Sequence, residues 1–359
     1  MNHREQWQLD YERLITTRAE LDRILKLTDE EKKASDALKT AYPLKISRHY
    51  LDLIDPGDPD DPIRKVVVPS MAELSSRPGE TDDDVHEDES KYQPVPGIIH
   101  RYPGKLLFIP ALGCPSHCRF CFRKGRKVKH LSEDEGKAAL NYIREHEEIR
   151  DVIVTGGEPL YLDDDELEHW ISSIHAIEHV EIIRVTSRAA IYVPSRITEK
   201  LVAMLRQYRP IYMTFSFVHP REITPELEQG IRMMADAGIV MLQQGPLLRG
   251  VNDDPRVLKE LYEKLVTLQV MPYYAIWGIH APGAEHFIVD GQTASAVIGA
   301  LENQTSGFCV PHLITIARGD KVRMMGWSPD KAAAHLKNRP REESSTPSSI
   351  GLMHGAPHK

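Results

Sequence analysis

Six short apolar runs, each followed by an amphipathic stretch, dominate the chain from residue 105 onward. The runs predict strands at 106–110, 151–155, 180–186, 211–217, 239–243 and 273–277. The stretches between them predict helices at 133–145, 164–177, 198–207, 225–237 and 255–268. Strands that alternate with helices are typical of a parallel sheet with helices outside it. Six βα units are too few for a closed eight-stranded barrel, so we predict an α/β fold with a partial, open (β/α)6 barrel and its chemistry at the carboxyl ends of the strands.

Different patterns flank this alternation. Residues 1–50 combine capping residues with apolar positions three and four apart, which predicts an N-terminal helical extension. After residue 287, one helix at 292–301 and two short strands, at 312–317 and 321–325, complete the predicted elements.

These patterns divide the chain into three parts. The helical extension and an acidic linker take residues 1–95, and the barrel with its C-terminal strands takes residues 96–337. The linker contains the sequence DPGDPDDP at 55–62, which breaks a helix because proline lacks an N–H and restricts its predecessor. The tail, 338–359, is rich in Ser, Pro, Gly and charge and is predicted to be disordered.

Composition and charge exclude several classes of protein. The chain has 359 residues, of which 41% are hydrophobic and 27% charged, as in ordinary globular proteins. Residues 55–89 hold twelve acidic and three basic residues, so most of the net charge of −8 lies outside the predicted barrel, and the run at 81–89 predicts a solvated loop. The chain has neither the basic stripe of a nucleic-acid-binding protein nor an apolar run that could span a membrane. Its polar N-terminus is unlike a secretory signal, so we expect a cytoplasmic protein.

The four cysteines are distributed unevenly. Cys114, Cys118 and Cys121 form C-x3-C-x2-C directly after the first predicted strand, and Cys309 stands far away. This clustering is unlike a disulfide framework and indicates a metal or cluster site in a reducing compartment. Three thiolates at this spacing can hold three irons of a [4Fe–4S] cluster and leave the fourth iron open to a small molecule. Cys309 lies in the apolar context GFCVPHL and is interpreted as a buried structural thiol.

Zinc is an alternative occupant of this loop. His117 could join the three cysteines in a Cys3His set, which zinc accepts. His117 immediately precedes Cys118, however, and adjacent residues rarely bind one tetrahedral ion together. The cluster is therefore the favoured interpretation.

The cysteine motif after a first strand resembles the signature of the radical S-adenosylmethionine enzymes. The resemblance implies that the open iron binds the methionine end of S-adenosylmethionine, and that cleavage yields a 5′-deoxyadenosyl radical that abstracts hydrogen from a substrate. Phe120 matches the family's aromatic position beside the adenine. Gly156, Gly157 and Glu158, in TGGEPL after the second predicted strand, match the turn that binds the methionine amino group. Two glycines let the backbone approach such a ligand closely.

A narrower resemblance, to the lysine 2,3-aminomutase family, extends over roughly residues 45–330. The segments that carry it include VPGIIHRYPGKLLF, DVIVTGGEPL, EIIRVTSRAAIYVPSRIT, LLRGVNDD and MPYYAI. It implies that Ser187, Arg188 and Gln244 contact S-adenosylmethionine. It also implies that Arg123 clamps the substrate carboxylate, a task that suits the bidentate geometry of arginine.

The chain departs from this family at the cofactor. The aminomutases carry pyridoxal phosphate on a lysine in a glycine-rich loop, and this chain has no such loop. Lys321 is the lysine nearest to the corresponding position, and an ordinary surface lysine is the alternative interpretation. Arg101 and Lys105 match the family's phosphate-binding residues and could hold another anion, while Ile276 replaces a tyrosine near the cofactor. Pyridoxal phosphate is therefore expected to be absent, unless Lys321 holds it.

The substrate end departs as well. Two aspartates that bind the distal ammonium of lysine are matched here by Ile279 and Ile316. Burial of an ammonium against two isoleucines would cost several kcal/mol without compensation, so lysine is not the expected substrate. Tyr274 and Trp277 are candidates to line this less cationic pocket, or else belong to the core.

The sequence therefore predicts a radical S-adenosylmethionine enzyme that acts on a small, amino-acid-like carboxylate. The resemblance implies a reducing electron donor of the flavodoxin or ferredoxin type and leaves room for a homo-oligomer. One alternative is a pyridoxal-phosphate-dependent amino acid 2,3-aminomutase. Another is a non-catalytic iron–sulfur redox or sensor protein, which would not need the GGEP, Ser187–Arg188 and Gln244 segments.

Overall fold

A computed structural model describes residues 4–74, 90–127, 129–278, 280–317 and 320–324. The chain divides into two compact units, Met1–Gly326 and Trp327–Lys359, of which the second lies outside the described residues. The predicted solvated loop at 81–89 and the predicted disordered tail at 338–359 also lie outside them.

Nine strands form one sheet in which spatial order follows chain order. The strands are β1 Ile98–Tyr102, β2 Lys105–Ala111, β3 Asp151–Gly156, β4 Ile182–Ser187, β5 Ile211–Phe215, β6 Val240–Pro246, β7 Val270–Trp277, β8 His312–Ala317 and β9 Asp320–Arg323. Strands β2 to β8 are parallel, and β1 and β9 are antiparallel edges. Among the described strands no ladder joins β9 to β1, so the sheet is an open, partial barrel.

The six predicted βα units are present, since each of the parallel strands β2 to β7 is followed by a helix. Strand β8 adds a seventh parallel strand, because Tyr274, Ala275, Ile276 and Trp277 of β7 pair in parallel with residues 312–315. The sequence analysis placed a strand there but did not assign it to the parallel sheet.

Strand β1 is absent from the prediction. It pairs antiparallel with β2, and Tyr102 stands opposite Lys105 across the tight Pro103–Gly104 reversal. The sequence IIHRY lacks clear alternation of apolar and polar residues, so only the Pro-Gly pair signals a turn here.

Twelve helices occur in the described residues, five of them before the sheet. They are α1 Gln6–Glu12, α2 Arg18–Leu25, α3 Asp29–Leu38, α4 Arg48–Leu51, α5 Pro62–Val67, α6 Glu133–Glu145, α7 Asp164–His175, α8 Ala189–Tyr192, α9 Glu199–Gln207, α10 Pro225–Asp236, α11 Pro255–Thr267 and α12 Gly291–Leu301. None of the described helices is both long and apolar enough to cross a membrane.

Helix α6 shows how the sequence fixes the outer layer. The Ser132 side chain accepts a hydrogen bond from the backbone N–H of Glu135, and the Glu135 carboxylate accepts one from the backbone N–H of Ser132, which closes a capping box. The helix then buries Gly136, Ala139 and Ile143, three and four residues apart. Side chains at this spacing share one face, so the helix can cover the apolar side of the sheet.

The N-terminal helices share the core of the barrel. The Tyr11 hydroxyl donates to the carbonyl oxygen of Leu160 at 3.0 Å, and the Ser47 hydroxyl donates to that of Tyr192 at 2.6 Å. Tyr50 is fully buried. These contacts bring the extension against the carboxyl ends of the strands, where the candidate site lies.

Candidate active site

A single cavity of about 410 Å³ lies at the carboxyl ends of the strands and continues into the barrel. It is lined by all fourteen residues that the sequence analysis selected: Arg101, Lys105, Cys114, Cys118, Phe120, Cys121, Arg123, Gly156, Gly157, Glu158, Ser187, Arg188, Gln244 and Lys321. This volume is within the range of small-molecule sites. The structure brings the residues together, while their individual roles remain predictions.

The three loop cysteines are partly buried at one end of this cavity. Burial raises the pKa of the Cys118 thiol to about 11, and burial with the nearby Glu158 carboxylate raises the pKa of Cys114. These two thiols therefore favour the protonated form at neutral pH, and iron must displace their protons when it binds. Three soft thiolate donors on one loop suit an iron–sulfur cluster.

The structure offers no support for the zinc alternative. His117 turns towards the N-terminal extension, with its Nδ1 2.7 Å from the carbonyl oxygen of Pro43. Among the described residues, no group of three His, Cys, Asp or Glu side chains is arranged so that it could hold a single metal ion. A cluster differs from a single ion, because each thiolate binds a separate iron.

Buried charges attach the cysteine loop to the N-terminal extension. Arg119, between Cys118 and the third cysteine, donates two hydrogen bonds to the Glu73 carboxylate, at 2.8 and 2.6 Å. Lys124 lies 3.0 Å from the same carboxylate. The Glu73 side chain is fully buried where it meets the cysteine loop. Sequence analysis missed this role, because Glu73 lies far from the loop in the chain.

We expect Glu73→Gln to loosen the cysteine loop. Removal of one partner from a buried ion pair costs about 3–5 kcal/mol. Glu31→Gln is the matched control, because Glu31 forms a similar bidentate pair with Arg64 inside the extension. Hydrogen exchange should accelerate at residues 114–125 in Glu73→Gln and stay unchanged there in Glu31→Gln. Equal exchange of this loop in both variants would contradict the assignment.

The GGEP turn packs its backbone directly on the cysteine loop. The Gly157 N–H donates to the carbonyl oxygen of Ala111 at 3.0 Å, and a Cβ on Gly157 would lie 2.5 Å from the carbonyl oxygen of Gly113. Gly156 has a φ of +119°, which strongly favours glycine. The Arg123 guanidinium donates to the Gly156 carbonyl oxygen at 3.1 Å. Glycine is therefore required at both positions for the turn and the loop to meet.

Glu158 connects this turn to the end of β4. Its buried carboxylate accepts hydrogen bonds from the backbone N–H groups of Arg188 at 2.6 Å and Ala189 at 2.7 Å. Burial raises the pKa of Glu158, although these bonds and one from Ser187 favour the charged form. Glu158, which follows β3, thereby connects the end of β3 to the end of β4 at the cavity wall.

The Arg188 side chain is almost completely buried beside the cavity. It forms an ion pair with Glu222, and its Nε donates to the Tyr192 hydroxyl at 2.8 Å. Its guanidinium carbon lies 5.5 Å from the centre of the Phe120 ring. Ser187 and Gln244 line the same part of the cavity wall.

A cluster of cations lines the opposite end of the cavity, formed by Arg101, Lys105, Arg184 and Lys321. Arg184 donates to both oxygens of Asp151, at 3.0 and 2.6 Å. Burial, together with the charges of Lys105 and Arg184, lowers the pKa of Lys321 to about 8. Lys321 is exposed to solvent and also lines the cavity, so it is not an ordinary surface lysine. Sequence analysis missed Arg184, although it is two residues before Thr186 and shares its cavity-facing side of β4.

Isoleucine side chains line the cavity at positions that the sequence analysis matched to the family's cofactor and substrate contacts. Ile276 and Ile316 both line the cavity, whereas Ile279 lies outside the described residues. Tyr274 does not line the cavity, and Trp277 packs against the core, which was the alternative interpretation. The Trp277 indole packs near Gly291 of α12 and donates to the Val289 carbonyl oxygen at 2.5 Å, because alternation along β7 turns it away from Ile276. The Tyr274 ring contacts Lys321, whose Nζ lies 4.4 Å from the ring centre.

Comparisons with known proteins agree with this arrangement. The family model described as the radical SAM superfamily matches residues 108–261. The L-lysine 2,3-aminomutase of Clostridium subterminale is 38% identical over 316 residues, covering 87% of this chain and 76% of that protein. The glutamate 2,3-aminomutase of Clostridioides difficile is 36% identical over 314 residues, covering 87% and 73%. The L-lysine 2,3-aminomutase of Escherichia coli is 32% identical over 343 residues, covering 94% and 96%.

Proposed function

Since this chain belongs to the lysine 2,3-aminomutase family of radical S-adenosylmethionine enzymes, we propose that it abstracts a hydrogen atom from a small carboxylate-bearing substrate in the barrel cavity. When bound, the [4Fe–4S] cluster and S-adenosylmethionine supply the 5′-deoxyadenosyl radical for this step. The observation that carries the proposal is the convergence of fourteen predicted residues on one cavity.

The cysteine end of the cavity has the groups that this chemistry needs. Cys114, Cys118 and Cys121 would hold three irons through their thiolates. We assign the backbone of Gly156 and Gly157, which lines the cavity beside the cysteine loop, to the methionine end of S-adenosylmethionine. Further contacts to this ligand are assigned to Phe120, Glu158, Ser187, Arg188 and Gln244. Because Glu158 and Arg188 are already paired with protein groups, we assign them mainly to the shaping of the site.

We assign Arg123 to the substrate carboxylate. Its guanidinium lies 4.7 Å from the centre of the Phe122 ring and is oriented by the Gly156 carbonyl oxygen. We expect Arg123→Lys to raise the KM at least about tenfold, because lysine cannot form a bidentate pair with a carboxylate. Arg126→Lys is the control, since Arg126 follows in the same loop but does not line the cavity. An equal KM in both variants would refute the assignment.

The cavity favours a substrate without a distal ammonium. Ile316, one of the two isoleucines matched to the lysine-binding aspartates, offers no oxygen to such a group. Lys105, Arg184 and Lys321 line the same cavity and would repel an ammonium, and the Asp151 carboxylate beside them is already paired with Arg184. We therefore propose an amino acid with an uncharged or acidic side chain.

Deuterium transfer tests this proposal. Candidate amino acids deuterated at carbon would be incubated with the reduced, cluster-loaded enzyme, and 5′-deoxyadenosine would be analysed by mass spectrometry. We expect deuterium from an uncharged or acidic substrate and none from lysine. Transfer from lysine alone would refute the proposed substrate class.

The position of Lys321 favours a second candidate, a pyridoxal-phosphate-dependent 2,3-aminomutase. Lys321 faces the cavity near Lys105, and Arg101 lines the same end, so an aldehyde-reactive amine and phosphate-binding cations occur together. The cofactor would make 1,2-amino migration feasible through the π system of an imine.

The pKa of Lys321 makes this candidate testable. Because this pKa is lowered to about 8 from 10.5, Lys321 is largely neutral at pH 9, where ordinary lysines remain protonated. Pyridoxal phosphate with cyanoborohydride should then label Lys321 first at pH 9, as read by peptide mass spectrometry. Lys321→Arg should abolish the dominant label. If labelling is spread evenly over the surface lysines, this second candidate fails.

A further inference from the structure

Tyr192 lies between one of the cluster-loop cysteines and a buried ion pair. Its hydroxyl oxygen is 2.8 Å from Cys118 Sγ and 2.8 Å from Arg188 Nε. Tyr192 is buried, and Arg188 is paired with Glu222. No sequence motif pointed to this tyrosine, because it lies on the short helix α8, 74 residues from Cys118.

The direction of both hydrogen bonds follows from the chemistry of the donors. An arginine Nε–H can only donate, so the Tyr192 oxygen accepts from Arg188. The hydroxyl proton of Tyr192 is then left to point at Cys118 Sγ. Once Cys118 is a thiolate, the sulfur can only accept, and the charge of Arg188 makes the hydroxyl a stronger donor.

The surrounding contacts hold this tyrosine in place. Its ring packs edge-on against Tyr50, with ring centres 4.6 Å apart. Its backbone carbonyl oxygen accepts the hydrogen bond from Ser47 in the N-terminal extension. The hydroxyl is therefore preorganised towards the sulfur, and a bound ligand is not needed to position it.

We propose that Tyr192 is a positioning residue that donates a hydrogen bond to the Cys118 thiolate and raises the reduction potential of the cluster. This inference rests on the proposed function, which places the cluster on Cys114, Cys118 and Cys121. Reduction adds negative charge to the cluster, and a donor aimed at a ligand sulfur stabilises that charge. Without this donor, reduction of the cluster becomes less favourable and its reduction potential falls.

Tyr50 provides a matched control for this test. Its hydroxyl donates to Glu222 Oε1 at 2.5 Å and accepts from the Arg188 Nη2 atom at 3.1 Å. It therefore belongs to the same buried network and is equally enclosed, but its hydroxyl bonds Glu222 and Arg188 and not a cysteine. Tyr50→Phe removes a hydrogen bond that Arg188 makes, but it leaves the bond between Tyr192 and Cys118 in place.

The experiment measures the midpoint potential of the cluster by electron paramagnetic resonance during anaerobic redox titration. Tyr192→Phe should shift the potential downward, and Tyr50→Phe should leave it close to that of the unaltered protein. An unchanged potential in Tyr192→Phe, or an equal shift in both variants, would overturn the inference.

A second measurement uses the unaltered protein alone and does not depend on the folding of a variant. Transfer to D₂O should shift the iron–sulfur stretching bands in resonance Raman spectra, because the hydroxyl proton is exchangeable and bonded to a ligand sulfur. Absence of this shift in a cluster-loaded protein would overturn the role of Tyr192 and leave the proposed function intact. If the unaltered chain assembles no cluster at all, the proposed function fails and this inference fails with it.

Discussion

Cys121→Ala is expected to abolish cluster assembly and all cleavage of S-adenosylmethionine. With two thiolates left, the loop cannot hold three irons of the cluster, and no other cysteine is placed to replace the third. Iron content and the visible absorption of anaerobically reconstituted protein should fall to background, and 5′-deoxyadenosine should be undetectable.

Cys309→Ala is the control for this loss. Cys309 is a buried thiol with 3% exposure and does not line the cavity. This variant should reconstitute to the same iron content as the unaltered protein, with a modest loss of thermal stability from the small cavity that it leaves. If Cys309→Ala lost the cluster as completely as Cys121→Ala, Cys309 would have to be counted as a ligand.

Gly157→Ala is expected to have the second-largest effect. Its new Cβ would lie 2.5 Å from the Gly113 carbonyl oxygen and 2.7 Å from the Gly113 nitrogen, closer than real Cβ contacts allow. The obstructing atoms are backbone, so the GGEP turn and the cysteine loop must separate. Loss of a hydrogen bond to a charged group, such as the methionine end of S-adenosylmethionine, costs about 1.5–3 kcal/mol. We therefore expect the affinity for S-adenosylmethionine, measured by equilibrium dialysis, to fall by about 10- to 100-fold.

Gly299→Ala separates this steric effect from a general intolerance of alanine. Gly299 lies within α12, where an added Cβ meets no atom within 4 Å. Alanine there should raise the free energy of unfolding by about 0.5–1 kcal/mol and leave ligand affinity unchanged. Normal affinity in Gly157→Ala would show that the close approach of the turn to the loop is not required for binding.

Local periodicity was sufficient to predict most of the regular elements. Helix α6 begins at its capping box, and strand β8 has the predicted bounds, because apolar spacing and caps are local signals. Strand β1 and the parallel pairing of β8 were missed. Both depend on which strand becomes a neighbour in the sheet, and that choice is made by tertiary packing.

The residues of the candidate site likewise include some that the sequence predicted and some that it did not. The cysteine loop and the GGEP turn are continuous motifs, so sequence analysis found them. Glu73, Arg184 and Tyr192 reach the cavity or its cysteine loop from separate elements, and no spacing in the chain predicts their contacts. The orientation of Lys321 could not be predicted from the sequence either, because it depends on the antiparallel pairing of β9 with β8.

The most direct measurement of the central claim is the yield of 5′-deoxyadenosine. The protein would be reconstituted anaerobically with iron and sulfide, reduced with dithionite and incubated with S-adenosylmethionine and a mixture of amino acids. The account predicts 5′-deoxyadenosine above the level formed by Cys121→Ala under the same conditions. A fully cluster-loaded protein that forms no more 5′-deoxyadenosine than this variant would contradict it.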